Sequence, residues 1–294
     1  MKNHTDINPP TIDTIAIVIV SFNPTSNIID LISIFDNQIP ITIVDNNSTT
    51  EESKKILSDV QLKSNVELII NNSNLGIAKA LNQGVESSIQ KNKNWTLLFD
   101  QDSLPNESIL ESIQNCYEYV DDKEKIALIG VNYDTNASRF VKQQVELKNK
   151  FIEIDTIITS GSILNNKTYN KIGAFLDDFF IDCVDLEYCL RIIEKGYKTY
   201  FCTDVGFNHK IGELKTISLF GVKINSTNHS ILRRYYMARN NVIISKRYFI
   251  KYPKWVIKKN IFYFISFLQI ILVDDNKIAK IKSSIKGILN GIKN

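Results

Sequence analysis

Between residues 14 and 100 four runs of strand-forming residues, TIAIVIVSF, ITIVDNNS, VELIIN and WTLLFD, alternate with stretches of helical periodicity. That alternation restricts the chain more than any other feature. The first run is continuous and β-branched, which suits a strand covered on both faces rather than one with a solvated side. Between the strands, Ile28, Leu31, Ile32 and Phe35 fall on one helical face, a second helix starts at about Glu51, and Ile77, Leu81, Val85 and Ile89 recur four apart. Strand then helix, repeated, predicts an α/β fold with a mostly parallel central sheet flanked by helices.

In such sheets ligands bind at the carboxyl ends of the strands. Three of these ends are polar: Ser21 to Asn23, Asp45 to Ser48, and Asp100 to Ser103. A GxGxxG fingerprint is absent from the first turn, so a nucleotide site here is not a standard dehydrogenase one. Later, IALIGVNY, IDTIITSGSIL and YKTYFCTDVGFNH read as further strands. Residues 185 to 195 read as a helix with Leu186, Cys189, Leu190 and Ile193 on one face.

Residues 1–13 are polar, with Pro9 and Pro10, and are expected to form a flexible arm. At the other end, residues 233–294 carry fourteen Lys and Arg against Asp274 and Asp275. This net +12, in a chain of net charge +3, leaves −9 for the remainder and points to an anionic contact for the C-terminal part. The run IFYFISFLQIILV spans thirteen residues and holds Ser266 and Gln269, short of the ~20 apolar residues a bilayer span needs. After it, Ile278, Ile281, Ile285, Ile288 and Ile292 follow helical spacing amid five lysines, as in an interfacial amphipathic helix. Covering the sheet or making a homodimer contact are the alternatives for these helices. Nucleic acid is disfavoured, because the lysines lie within apolar runs rather than beside spaced stacking aromatics. The four cysteines form no CxxC pair and the N-terminus shows no signal-peptide pattern, so free thiols in the cytoplasm are expected.

Asp100 and Asp102 carry the most chemistry. Side chains at i and i+2 of a strand share a face, and two carboxylates held there repel unless a cation lies beside them. Mn²⁺ or Mg²⁺, with oxygen ligands completed by water and substrate phosphates, is the natural partner. The alternative is a solvated turn in which Asp102 or Ser103 caps the next helix. Asp45 closes an earlier strand, where a carboxylate can accept the N3–H of a pyrimidine. The small residues Gly76, Ala78, Ala80 and Gly84 allow close approach of a nucleotide to the backbone, or close packing of helix on sheet. In FIDCVDLEYCLR, Asp185 at a helix start fits either a cap or a general base at the edge of an apolar site. His209, in FNHKIG, is a third metal ligand or a satisfied polar residue.

In this order VIVSFNP, VDNNS, NLGIAKALNQG, FDQDS, TSGSIL, FIDCVDLEYCLR, HKIG and RRYYMARN resemble the family 2 inverting glycosyltransferases, and among them the bacterial rhamnosyltransferases. The likeness runs from about Ile15 to Asn241. It implies a GT-A fold over residues 14–250, with a nucleotide-sugar half at 14–105 and an acceptor half at 106–250, followed by a basic, apolar helical extension at 251–294. It implies a donor such as dTDP-rhamnose, with UDP-galactofuranose, UDP-glucose or a non-catalytic nucleotide-binding role as alternatives. The implied acceptor is a glycan or lipid-linked glycan at the cytoplasmic membrane face, which would give the C-terminus a peripheral contact. The donor-side residues it marks are Ser21, Asn23, Pro24, Asp45, Asn47, Asn74, Gly76, Lys79, Asp100, Gln101, Arg234 and Arg239. Asp102, Asp100 and His209 would hold the metal, Asp185 would be the catalytic base, and Gly161, Ser162 and Asp182 would face the acceptor. Tyr235 and Asn240 belong to the same late motif as the two arginines. Many relatives carry paired carboxylates at the base position, whereas here Val184 precedes Asp185.

Overall fold

Every residue of Ile15–Ser21 is buried, and this run is strand β1, paired in parallel with β2 (Ile41–Asp45) on one edge and β4 (Trp95–Asp100) on the other. Its two faces meet different partners. Ile15, Ile17 and Ile19 join the main apolar core with residues of α1 (Asn27–Ser33), α2 (Glu51–Gln61) and α4 (Ile109–Tyr119). Val18, on the opposite face, meets α3 (Ile77–Gln90): a Cβ built on Gly84 would stand 2.2 Å from Val18 Cγ1. The small residues of α3 therefore serve helix-on-sheet packing at Gly84, and Ala78 and Ala80 are fully buried.

The computed structural model describes residues 8–35, 38–134, 150–208, 215–219 and 222–294. By contacts the chain divides into two compact units, Met1–Asp178 with Tyr188–Lys210, and Phe179–Glu187 with Ile211–Asn294. In the first unit the remaining strands are β3 (Val66–Ile70), β5 (Leu104–Pro105), β6 (Ile126–Asp134), β7 (Phe151–Glu153), β8 (Ser162–Asn165) and β9 (Lys198–Asn208), and the short helix α5 (Asn166–Ile172) follows β8. Among the described residues the sheet runs β3-β2-β1-β4-β8-β6-β9-β5, with β7 paired to β9. Its long ladders, β1 with β2 and β4, β2 with β3, and β6 with β9, are parallel; β8 enters antiparallel between β4 and β6. The sheet is thus mostly parallel, as the alternation predicts. The chain steps outward from β1 to β3 and then returns to β4 on the other side of β1, so the crevice of this topology opens at the carboxyl ends of β1 and β4.

Two local expectations need correction. The run IDTIITSGSIL is a strand only from Ser162 onward, because Gly161 takes φ +76° and the Ser162 amide closes a turn on Thr159 O at 3.0 Å. Of the expected arm, residues 8–13 are tied down: the Trp95 indole donates to Asn8 O at 2.7 Å. Residues 1–7 lie outside the described residues.

The second unit contains a hairpin of β10 (Lys215–Leu219) and β11 (Val222–Ser226), the first turn of α6 (Val184–Glu194), and the helices α7 (Ile231–Tyr248), α8 (Pro253–Leu272) and α9 (Lys277–Lys293). Glycines let α9 lie directly on α7. A Cβ on Gly287 would fall 2.3 Å from Tyr235 O, and one on Gly291 2.7 Å from Arg239 O. That packed face is made of Lys280, Ser284, Gly287 and Gly291, so the isoleucine stripe stays outside, with Ile278 73% and Ile292 57% exposed. Helix α8 also corrects the sequence-based length. It starts at Pro253, eight residues before the apolar run, and its 20 residues make it the one described helix long and apolar enough to cross a membrane. Seven apolar residues on one face of it, from Ile257 through Phe264 to Leu272, are exposed.

Candidate active site

The residues of the first unit expected on the donor side are held by a web of side chains that fixes the strand ends. Asp45, buried at the end of β2, accepts from the Ser21 hydroxyl at 2.8 Å, the Ser48 hydroxyl at 2.6 Å and the Ser48 amide at 2.7 Å. Two of these reach Oδ1 and one Oδ2, so of about four lone-pair positions on the carboxylate one remains on Oδ2. Asn23, with φ +50°, accepts from the amides of Thr49 and Thr50, while its own amide donates to Ser48 Oγ. Asn47 is likewise left-handed, at φ +65°. Pro24 is buried and its carbonyl accepts from Ser53 Oγ. Gln101 clamps the β1 loop to the end of β4, taking the Phe22 amide at 2.7 Å and donating to the Phe22 carbonyl at 3.1 Å. At the start of α3, Asn74 Oδ1 accepts the amide of Gly76, whose φ of +87° favours glycine. Lys79 pairs with Asp177 at 2.8 Å, and that carboxylate raises its pKa.

Asp100 is the last residue of β4, and its amide donates to Ser160 Oγ at 3.0 Å. Asp102 lies in the turn beyond the strand, closed by Ser103 N–H to Asp100 O at 3.1 Å, so strand alternation does not place the two side chains. Among the described residues Asp102 has no hydrogen-bond or ion-pair partner, and no group of three or more His, Cys, Asp and Glu side chains forms a ready metal cluster. His209 lies outside the described residues. Two carboxylates at the crevice, one of them unpartnered, are nevertheless a donor set suited to a hard divalent ion that takes its other ligands from water and a diphosphate. Gly161 and Ser162, expected near an acceptor, are buried; the Ser162 hydroxyl donates to Thr159 O.

In the second unit Asp185 lies in the first turn of α6 and lines a pocket of about 290 Å³ with Asp182, Met237, Lys259, Tyr263 and Ser266. Burial pushes its carboxyl up from the usual range. The Leu186 amide, at 2.8 Å, and the Lys259 ammonium oppose that rise, and Asp182 adds to it. The residues before it carry strain: Asp182 and Cys183 both have φ +65°, a region that non-glycine residues avoid. Helix α7 holds them there. Arg233 binds the Asp182 carboxylate through Nε at 3.0 Å and Nη2 at 3.1 Å, and Asn240 donates to the carbonyls of both Ile181 and Asp182 at 3.0 and 2.9 Å. Phe180 stacks on Tyr236 with centroids 4.8 Å apart.

The motif RRYYMARN is therefore largely a brace for the Ile181–Cys183 turn that precedes Asp185. Arg239 donates to Asn240 Oδ1 at 3.0 Å. Arg234 is buried against Asp274 at 2.9 Å, away from solvent. Sequence reasoning missed Lys259 and Arg233; Glu187, which crowds the same turn as Asp182 and Asp185 in the sequence, is buried and takes the Tyr248 hydroxyl and Arg247. Only their positions in helical runs marked Lys259 and Arg233, and that pattern is also that of ordinary surface charge.

The glycosyl transferase family 2 model matches residues 16–204. A dTDP-rhamnosyl transferase, RfbF of Shigella flexneri, is 30% identical over 291 residues, covering 94% of each chain. Among solved structures, Staphylococcus aureus TarS 1–349 aligns over 95% of this chain and 71% of its own, at TM-score 0.54 and 14% identity. The mannosyltransferase PcManGT of Pyrobaculum calidifontis, in complex with GDP-Man and Mn²⁺, aligns over 99% and 79%, at TM-score 0.59 and 13% identity.

Proposed function

Because this chain belongs to glycosyl transferase family 2, with the GT-A fold of its structural neighbours, we propose that it moves L-rhamnose from dTDP-rhamnose to a hydroxyl of a bacterial glycan. The observation that carries the donor choice is the end-to-end 30% identity to a dTDP-rhamnosyl transferase. The first unit supplies the donor side. Asp45 Oδ2 keeps a lone pair for the base N3–H, and the Gln101 clamp and Asn23 hold the surrounding loops. A divalent cation, Mn²⁺ or Mg²⁺, held by Asp100, Asp102 and His209, would neutralise charge on the departing diphosphate.

The second unit supplies the base. Asp185 takes the proton of the acceptor hydroxyl as that oxygen attacks the anomeric carbon, and one displacement from the opposite face inverts its configuration. Asp182 is a positioning residue, because its carboxylate is already held by Arg233. Arg234, bound to Asp274, and Ser162, fully buried, are left out of the substrate contacts. The exposed apolar stripes of α8 and α9, interspersed with lysines, support a peripheral contact with an anionic cytoplasmic membrane face.

Thermal unfolding with dTDP-rhamnose, UDP-glucose, UDP-galactose and GDP-mannose, each with and without Mn²⁺ or Mg²⁺, tests the donor side. Stabilisation of about 2.7 kcal/mol at a hundredfold excess over Kd is expected for dTDP-rhamnose with metal only, and is lost in Asp102→Ala. Stabilisation by another donor, or without metal, overturns that part. A second expectation concerns the brace. Asn240→Ala frees the Ile181 and Asp182 carbonyls at the strained turn, so turnover should fall at least tenfold with donor affinity unchanged, and unfolding should cost about 1–3 kcal/mol less. Equal turnover would show that the loop needs no brace.

A further inference from the structure

A second cavity, of about 360 Å³, lies among α7, α8 and α9 and shares Met237, Tyr263 and Ser266 with the Asp185 pocket. Its size falls within the ~300–1,000 Å³ of ligand pockets. The two have opposite chemistry. The Asp185 pocket carries Asp182, Asp185 and Lys259, while the rest of the second cavity is lined mainly by apolar side chains such as Ala238, Val242, Phe267 and Ile270.

Its one charge is already matched, because Arg234 is bound to Asp274 and to the Ser266 hydroxyl. What Arg234 leaves is a buried Nε without a partner, and Asn241, 6% exposed, leaves Oδ1 in the same state. A cavity so lined takes an uncharged group: apolar, with room for one neutral polar atom set. Phe264 and Ile288 also line it and are 63% and 39% exposed, so it opens onto the apolar stripes of α8 and α9.

We propose that this cavity holds the apolar chain of an amphipathic acceptor, an isoprenyl or acyl chain whose polar head presents its hydroxyl to Asp185. The chain site stands on the cavity; its link to transfer rests on Asp185 being the base. A lipid layer is one source of such a chain and a free amphiphile the other.

The test uses the full chain without donor, and octyl, decyl and dodecyl β-glucosides below their micelle concentrations, titrated by calorimetry. Each added pair of methylenes is expected to tighten binding on the order of tenfold. Ala238→Phe on α7 and Ile288→Trp on α9, each checked for an unchanged unfolding profile, should reduce dodecyl glucoside binding at least tenfold. Leu268→Lys, on the exposed stripe but not lining the cavity, should not.

Affinity independent of chain length, or unaffected by both filling variants, overturns the proposal. So does loss of binding in Leu268→Lys, which would place the chain on the open stripe. A dimer by sedimentation that the filling variants dissociate would assign the cavity to a second copy instead. Length-dependent binding together with full turnover of Asp185→Asn would keep the chain site and sink the base assignment, so the two failures are told apart. Phosphatidylglycerol vesicles loaded with a dodecyl glycoside distinguish the sources: extraction from the vesicle marks a lipid layer, binding of free glycoside alone a soluble amphiphile.

Discussion

Asp185→Asn is expected to keep the fold and to lower turnover by a factor of about 10² to 10⁴. The amide has the shape of the carboxyl and its oxygen can still accept the Leu186 amide, but it cannot take a proton from the acceptor. Stability should move the other way. Burial holds the folded pKa of Asp185 above its unfolded value, so the ionised form is penalised in the folded chain at neutral pH, and a neutral amide removes that penalty. The variant should therefore unfold at the same temperature or higher at pH 7. The pH profile gives a second reading. A base must be ionised to act, so the acid limb of kcat/KM should lie above the ordinary aspartate value. In Lys259→Ala it should move higher still, because that ammonium lowers the Asp185 pKa. Unchanged turnover in Asp185→Asn would end the assignment; an acid limb at the ordinary value would leave the residue without its tuning.

The strand–helix alternation from β1 to β4 was legible because its signals are local. A parallel strand buried on both faces must be apolar throughout, and β1 through β4 lie where those runs do. The helix start at Asp185 was also visible, since a carboxylate in a first turn is a local pattern. What holds that turn was not visible. Arg233 and Asn240 reach Asp182 and its carbonyl from more than fifty residues away, and such a contact leaves no mark in spacing. Two other misreadings have different origins. Asp102 lies one turn past the end of β4, so the period-two rule was applied where no strand exists. The basic tail was counted as free charge, yet composition cannot see that Arg234 and Lys280 are buried on one carboxylate.

That carboxylate makes the largest stability prediction. Asp274 is fully buried, pairs with Arg234 at 2.9 Å and Lys280 at 3.1 Å, and accepts the Ser226 hydroxyl. It therefore joins β11, α7 and α9. Asp274→Ala leaves two cations buried without a counter-charge, which costs on the order of 3–5 kcal/mol, and the melting temperature of the second unit should drop accordingly. Asp275→Ala, next in sequence but on an exposed pair with Lys215, should leave unfolding unchanged. Burial alone would raise the Asp274 pKa, but the Ser226, Lys280 and Arg234 contacts overcome it and hold the carboxyl below the usual range. A depressed folded pKa contributes stability above the unfolded value and loses it as pH falls toward the folded one, so weakening should begin below about pH 4. Replacing all three charges together by apolar residues of similar size should cost far less than removing Asp274 alone, because the penalty comes from the unmatched cations. If Asp274→Ala unfolds like the parent chain, Arg234 does not depend on that partner, and its guanidinium returns as a candidate for the donor diphosphate.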